Sequence, residues 1–141
     1  MNERGFTLVE MLLVLLIVAI VTLFAARIIL YQMAEHEEKN FFEQLHADIY
    51  FAQSYALAEA GRVRVNFYGD NGYEISVQGE VIKVVPYPKT VSYIVTQQFA
   101  YIEFTDKGSI SRILKHSFAR KNKKNYEITF HLGKGRHGIS M

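Results

Sequence analysis

The sequence predicts an α+β fold, one long N-terminal helix packed on an antiparallel β-sheet, and a few features carry that prediction. No glycine or proline occurs between Phe6 and Ala60, so nothing interrupts a helix there. Within that stretch Phe42, Leu45, Ile49, Ala52 and Ala56 recur at three- and four-residue steps, one face of a helix that needs a surface to lie on. From Arg62 onward the pattern changes to short alternating runs separated by turn residues.

The helix divides by composition. Residues 11–26, MLLVLLIVAIVTLFAA, are apolar apart from Thr22. The apolar stretch from Phe6 to Ala26 matches the roughly 30 Å that about 20 helical residues need to cross a bilayer core. Its flaw is Glu10. The expected divisions are therefore a short polar start at 1–5, a transmembrane half of the helix at 6–30, an amphipathic half at 31–61, and a sheet domain at 62–141. In the amphipathic half Glu35, Glu37, Glu38, Glu43, Gln44, Asp48 and Gln53 are expected on faces away from the apolar stripe. Gly61 is expected to end the helix in a left-handed conformation.

The strands follow in order. Arg62–Phe67 and Tyr73–Gln78 alternate around Asp70-Asn71-Gly72, a hairpin signal. Glu80–Val85, Val91–Thr96, Phe99–Thr105, Ile110–Lys115 and Tyr126–Leu132 are the further candidates, with Asp106-Lys107-Gly108 as another turn. Short strands at this spacing predict an antiparallel meander.

Composition limits the chemistry. A chain of 141 residues accommodates one domain, and a net charge of +2 does not by itself imply a nucleic-acid partner. No cysteine is present, which excludes disulfides and cysteine metal sites. His36, His46, His116, His131 and His137 are scattered without metal-ligand spacing, and His46, Asp48 and Ser54 do not form a triad on their shared helix. Gly69-Asp70-Asn71-Gly72 has a single acid and suits a turn better than calcium. No enzyme, metal or cofactor is expected. The basic stretch Arg112, Lys115, His116, Arg120, Lys121, Lys123 and Lys124 reads either as a solvated loop or as a contact for DNA phosphates, with Phe118 available for stacking.

The N-terminus is the most specific feature. A secretory signal fits poorly, because the charged start is only Arg4 beside Glu3 and no small-residue cleavage site follows the apolar run. A plain membrane anchor has no use for Glu10. The string Gly5-Phe6-Thr7-Leu8-Val9-Glu10, followed at once by the apolar run, closely resembles the processing site of type IV prepilins and pseudopilins. The resemblance implies that Met1–Gly5 is a leader, that a membrane prepilin peptidase cuts between Gly5 and Phe6 and methylates the new amine, and that Glu10 is the family's acidic assembly residue. It implies as partners the peptidase, other major and minor pseudopilins, the membrane, and an assembly platform with its cytoplasmic ATPase. A glycine before the scissile bond lets the backbone enter a narrow site. Pairing the Phe6 amine of one subunit with Glu10 of the next would offset the cost of holding both in lipid and favour a staggered stack. Glu10 also complements the positive end of the helix dipole.

Tyr126–Leu132 followed by Gly133-Lys134-Gly135-Arg136, and Val81–Pro86 with Tyr87 and Pro88, are similar to the ComGD-type minor competence pseudopilins of Gram-positive bacteria. That likeness implies a cell-membrane precursor, a surface filament and a role in DNA uptake during transformation. The H-type minor pseudopilins of type II secretion have a similar layout and are the alternative. Retention of Glu10 implies a place below the filament tip.

Overall fold

The computed structural model describes residues 8–95, 100–110, 112–121 and 123–130, and the backbone of 137–140. It contains a helix, α1 (Leu8–Ala58), followed by strands β1 (Val63–Tyr68), β2 (Gly72–Val77), β3 (Glu80–Pro86), β4 (Val91–Ile94), β5 (Tyr101–Phe104), β6 (Leu114–Arg120), β7 (Tyr126–Phe130) and β8 (His137–Ser140). The chain divides into two compact units, Met1–His36 and Glu37–Met141, and α1 supplies residues to both.

In the first unit α1 is helical from Leu8 and presents its side chains outward. An 18-residue window of this helix has a mean hydropathy of 2.9, and none of it is buried. The lone hydroxyl in the run is satisfied locally: Thr22 Oγ1 lies 2.9 Å from the carbonyls of both Val18 and Ala19. A Ser or Thr that bonds back to the preceding turn exposes no unsatisfied donor to an apolar surrounding.

The second unit is built on the other half of α1. Phe42, Leu45, Ile49, Ala52 and Ala56 are buried, as their spacing predicts, and Phe41 joins them. The expected long helix on antiparallel strands is what the structure has, and the strands form two four-stranded sheets, ordered β3-β2-β1-β5 and β4-β6-β7-β8. The first three strands run as the predicted meander. β4 then pairs with β6 in the second sheet, while β5 returns to the far edge of the first beside β1. Inward residues of both sheets, among them Val65, Tyr73, Ile75, Ile102, Phe118, Ile128 and Phe130, share one core with the helix stripe.

Several details differ from the sequence reading. The helix ends one residue early: Ala60, not Gly61, takes the left-handed conformation (φ 48°), and the Gly61 N–H reaches the Ala56 carbonyl at 3.3 Å in a Schellman-type close. The strand expected at Ile110–Lys115 is only a bridge between Ile110 and Phe104; the true strand is β6, four residues later. Its alternation is hidden because His116, a residue that reads as polar, occupies an inward position between Leu114 and Phe118. β8 has no counterpart among the expected strands. The expected strand residues Thr96, Phe99, Ser111, His131 and Leu132 lie outside the described residues. Gln78 (φ 52°) and Gly79 (φ 95°) make the tight β2–β3 turn with two consecutive positive φ values. Gly72 is required by close approach, since a Cβ there would lie 2.2 Å from the Val85 carbonyl oxygen on β3.

Candidate functional site

The apolar half of α1 is the first candidate. From Leu8 to Met33 every side chain is exposed, including Leu8 (76%), Leu23 (71%) and Leu30 (67%). Burying an aliphatic side chain of this size is worth about 1.5–3 kcal/mol. A helix of this composition therefore requires an apolar environment that its own chain does not supply among the described residues. Glu10 lies in the first turn of α1, where its charge complements the helix dipole. Gly5 and Phe6, the expected cleavage site, lie outside the described residues.

The second unit contains two buried carboxylates that the sequence reading had placed away from the apolar stripe. Glu38 is 4% exposed, and its Oε1 accepts from Arg120 Nε at 2.7 Å and Arg120 Nη2 at 2.6 Å, with Lys123 Nζ at 3.5 Å. The Arg120 guanidinium also sits over the Phe42 ring, 5.8 Å from its centroid. Asp48, also 4% exposed, accepts from Tyr73 Oη at 2.7 Å, Lys83 Nζ at 2.6 Å and Gln44 Nε2 at 2.9 Å. Burial and the Asp48 carboxylate push the Tyr73 hydroxyl well above its usual range, so it remains a donor. Each acid ties α1 to a different sheet: Asp48 to β2 and β3, Glu38 to the end of β6 and the turn after it. The signal was available, because Glu38 lies four residues before Phe42 and Asp48 four before Ala52, both on the margin of the buried stripe.

The basic stretch is not one solvated loop. Lys115 is on β6 and pairs with Glu127 on β7 at 2.8 Å. Arg120 and Lys123 are drawn in by Glu38. Arg112 is exposed and engaged in an interaction of its own. Lys121 and Lys124 are exposed, with no carboxylate partner among the described residues. Phe118, considered for base stacking, is fully buried in the core.

The histidines are likewise dispersed. His36 is exposed, His46 bonds the Tyr126 hydroxyl, and His131 lies outside the described residues. His137 belongs to β8. His116 is buried, with Nδ1 2.8 Å from Tyr93 Oη, and burial pushes its pKa down to about 4. Among the described residues no cluster of three or more potential metal ligands occurs.

A family described as "Prokaryotic N-terminal methylation motif" matches residues 1–26. The crystal structure of the type IV minor pilin FimU from Pseudomonas aeruginosa (strain PAO1) is similar in fold, with a TM-score of 0.61 at 14% identity, over 76% of this chain and 90% of that one. No curated protein matches the chain in sequence. The motif match is confined to residues 1–26, and the likeness to FimU is one of fold.

Proposed function

We propose that this chain is a minor pilin or pseudopilin, a structural subunit of a type IV pilus-like filament, held in the membrane by α1 before assembly. The observation that carries the reading is the exposed apolar half of α1, much of which lies within the methylation-motif match over residues 1–26. The precursor loses Met1–Gly5 to a prepilin peptidase, and Phe6 becomes the methylated N-terminus. The amine so formed pairs with Glu10 of an adjoining subunit as the helix passes from lipid into the filament core. Charge placement then selects the stagger between subunits, because any other register leaves a charge in an apolar surrounding.

The finer assignment, a minor subunit of a competence filament that takes up DNA, is supported by the sequence resemblance to ComGD-type pseudopilins. Secretion pseudopilins of the H type remain the second reading on the same scaffold. Direct DNA contact through residues 112–124 is less well supported, since Lys115, Arg120 and Lys123 are engaged with carboxylates.

The decisive experiment is mass spectrometry of the N-terminus from cells with and without the peptidase. The expected mature protein begins at N-methylated Phe6 only when the peptidase is present. Assembled protein that still begins at Met1 would overturn the proposal. Glu10→Gln is expected to leave processing intact and to abolish filament entry.

A further inference from the structure

Glu38 captures Arg120 and Lys123 but leaves other lysines of the same corner without a carboxylate. A cleft of about 540 Å³ lies between the residues leading into β4 and the end of β6; its lining includes Lys89, Thr90, Ser92, Lys121 and Asp70. The two segments are joined by the Lys121 N–H donating to the Thr90 carbonyl at 3.0 Å, which brings Lys89 and Lys121 to one end of the sheet. Lys124 follows in the same turn. All three lysines are exposed, and none has a carboxylate partner among the described residues. Thr90 Oγ1, in the cleft lining, has no hydrogen-bond partner among the described residues.

Chain connectivity bounds where this cleft can be. Lys123 and Arg120 are pinned to Glu38, and Glu38 follows Leu30 by eight residues. Those residues span about 12 Å as helix and under about 30 Å even when fully extended. If the apolar segment lies in a bilayer, this short tether keeps the β-rich unit at a high local concentration of headgroups.

We propose that this cleft seats the phosphate of an anionic phospholipid headgroup and so holds the β-rich unit against the membrane before the subunit enters a filament. The inference rests on the membrane reading given above. Lysine near an anionic leaflet is attracted strongly enough to favour the close state roughly fivefold per residue. The membrane segment already supplies a high effective concentration, so weak individual contacts suffice. Asp70 in the lining and Glu37 at the junction oppose the attraction, which makes the sign of each substitution a separate test.

The experiment uses the full chain, whose lack of cysteine allows a single label at Asn125→Cys. Energy transfer from that label to a headgroup acceptor is measured in vesicles of phosphatidylcholine alone and with about a third phosphatidylglycerol. Transfer is expected to rise with phosphatidylglycerol, to fall back in Lys89→Ala/Lys121→Ala/Lys124→Ala and in high salt, and to rise further in Asp70→Asn. Lys→Gln variants of the three positions repeat the test where Ala disturbs folding, which near-ultraviolet circular dichroism reports. Equal transfer in both lipids, or a triple variant like the parent, overturns the proposal. So does a triple variant that loses binding to a short DNA duplex while keeping its lipid response. Flotation with phosphatidylcholine vesicles separates the two levels. A chain that does not float contradicts the membrane reading, whereas one that floats without lipid dependence contradicts only this inference.

Discussion

Replacing Glu38 with alanine leaves the Arg120 guanidinium, only 15% exposed as a side chain, without its carboxylate. Removing one partner of a buried ion pair costs about 3–5 kcal/mol. Two features place the loss near the lower end. Arg120 keeps its position over the Phe42 ring, and Lys123, 30% exposed, turns outward to water. The expected loss is therefore about 3 kcal/mol, which for a unit of this size lowers the melting temperature by roughly 10–20 °C. The assay is urea or thermal unfolding of the full chain in mild detergent, followed by the near-ultraviolet dichroism of the buried tyrosines Tyr73, Tyr93 and Tyr126. Glu38→Leu combined with Arg120→Leu supplies the cycle, and the double variant is expected to recover to within about 1 kcal/mol of the parent. Lys39→Ala serves as the contrast: its pair with Glu43 is 3.8 Å long and mostly exposed, so about 0.5 kcal/mol or less is expected. A Glu38→Ala loss below about 1 kcal/mol, or purely additive losses in the double variant, would refute the reasoning and reduce Glu38 to a rim contact.

Other perturbations test other parts of the fold. His116 titrates near 4 in the folded chain against about 6.5 unfolded, so the unfolded chain binds more protons between those values. Stability is then complete above about pH 6.5 and falls on the order of 3 kcal/mol as pH drops toward 4; urea midpoints measured against pH are expected to flatten in His116→Phe. Ala60→Gly relieves a left-handed alanine (φ 48°) and is expected to add about 1 kcal/mol in the same denaturation assay. Gly72→Ala drives a methyl onto the Val85 carbonyl and is expected to remove on the order of 3 kcal/mol, with β3 the first segment to lose amide protection in hydrogen exchange.

Legibility varied with how local the physics is. The helix was readable because Phe42, Leu45, Ile49, Ala52 and Ala56 follow its period, and β1 and β2 because Val63, Val65, Phe67, Tyr73 and Ile75 follow the strand period. β6 was displaced in the sequence reading because an inward histidine breaks the apolar alternation. The basic stretch reads in sequence as either a solvated loop or a phosphate contact, and charge counted along the chain does not show that Arg120 is taken by Glu38, 82 positions away. Likewise no local signal says that Lys83 turns inward to Asp48 and not to water.

Residue order alone settled the matters that depend on near neighbours: a helix able to span a bilayer, a methylation motif with a carboxylate five residues after its glycine, and a run of short strands. The tertiary structure decided the division into two sheets, the exchange of β4 and β5 between them, the burial of Glu38 and Asp48, and which lysines remain unpaired. The reason is that periodicity is a property of adjacent residues. A buried charge is tolerated only where a distant partner arrives, and that partner is chosen by the path of the whole chain.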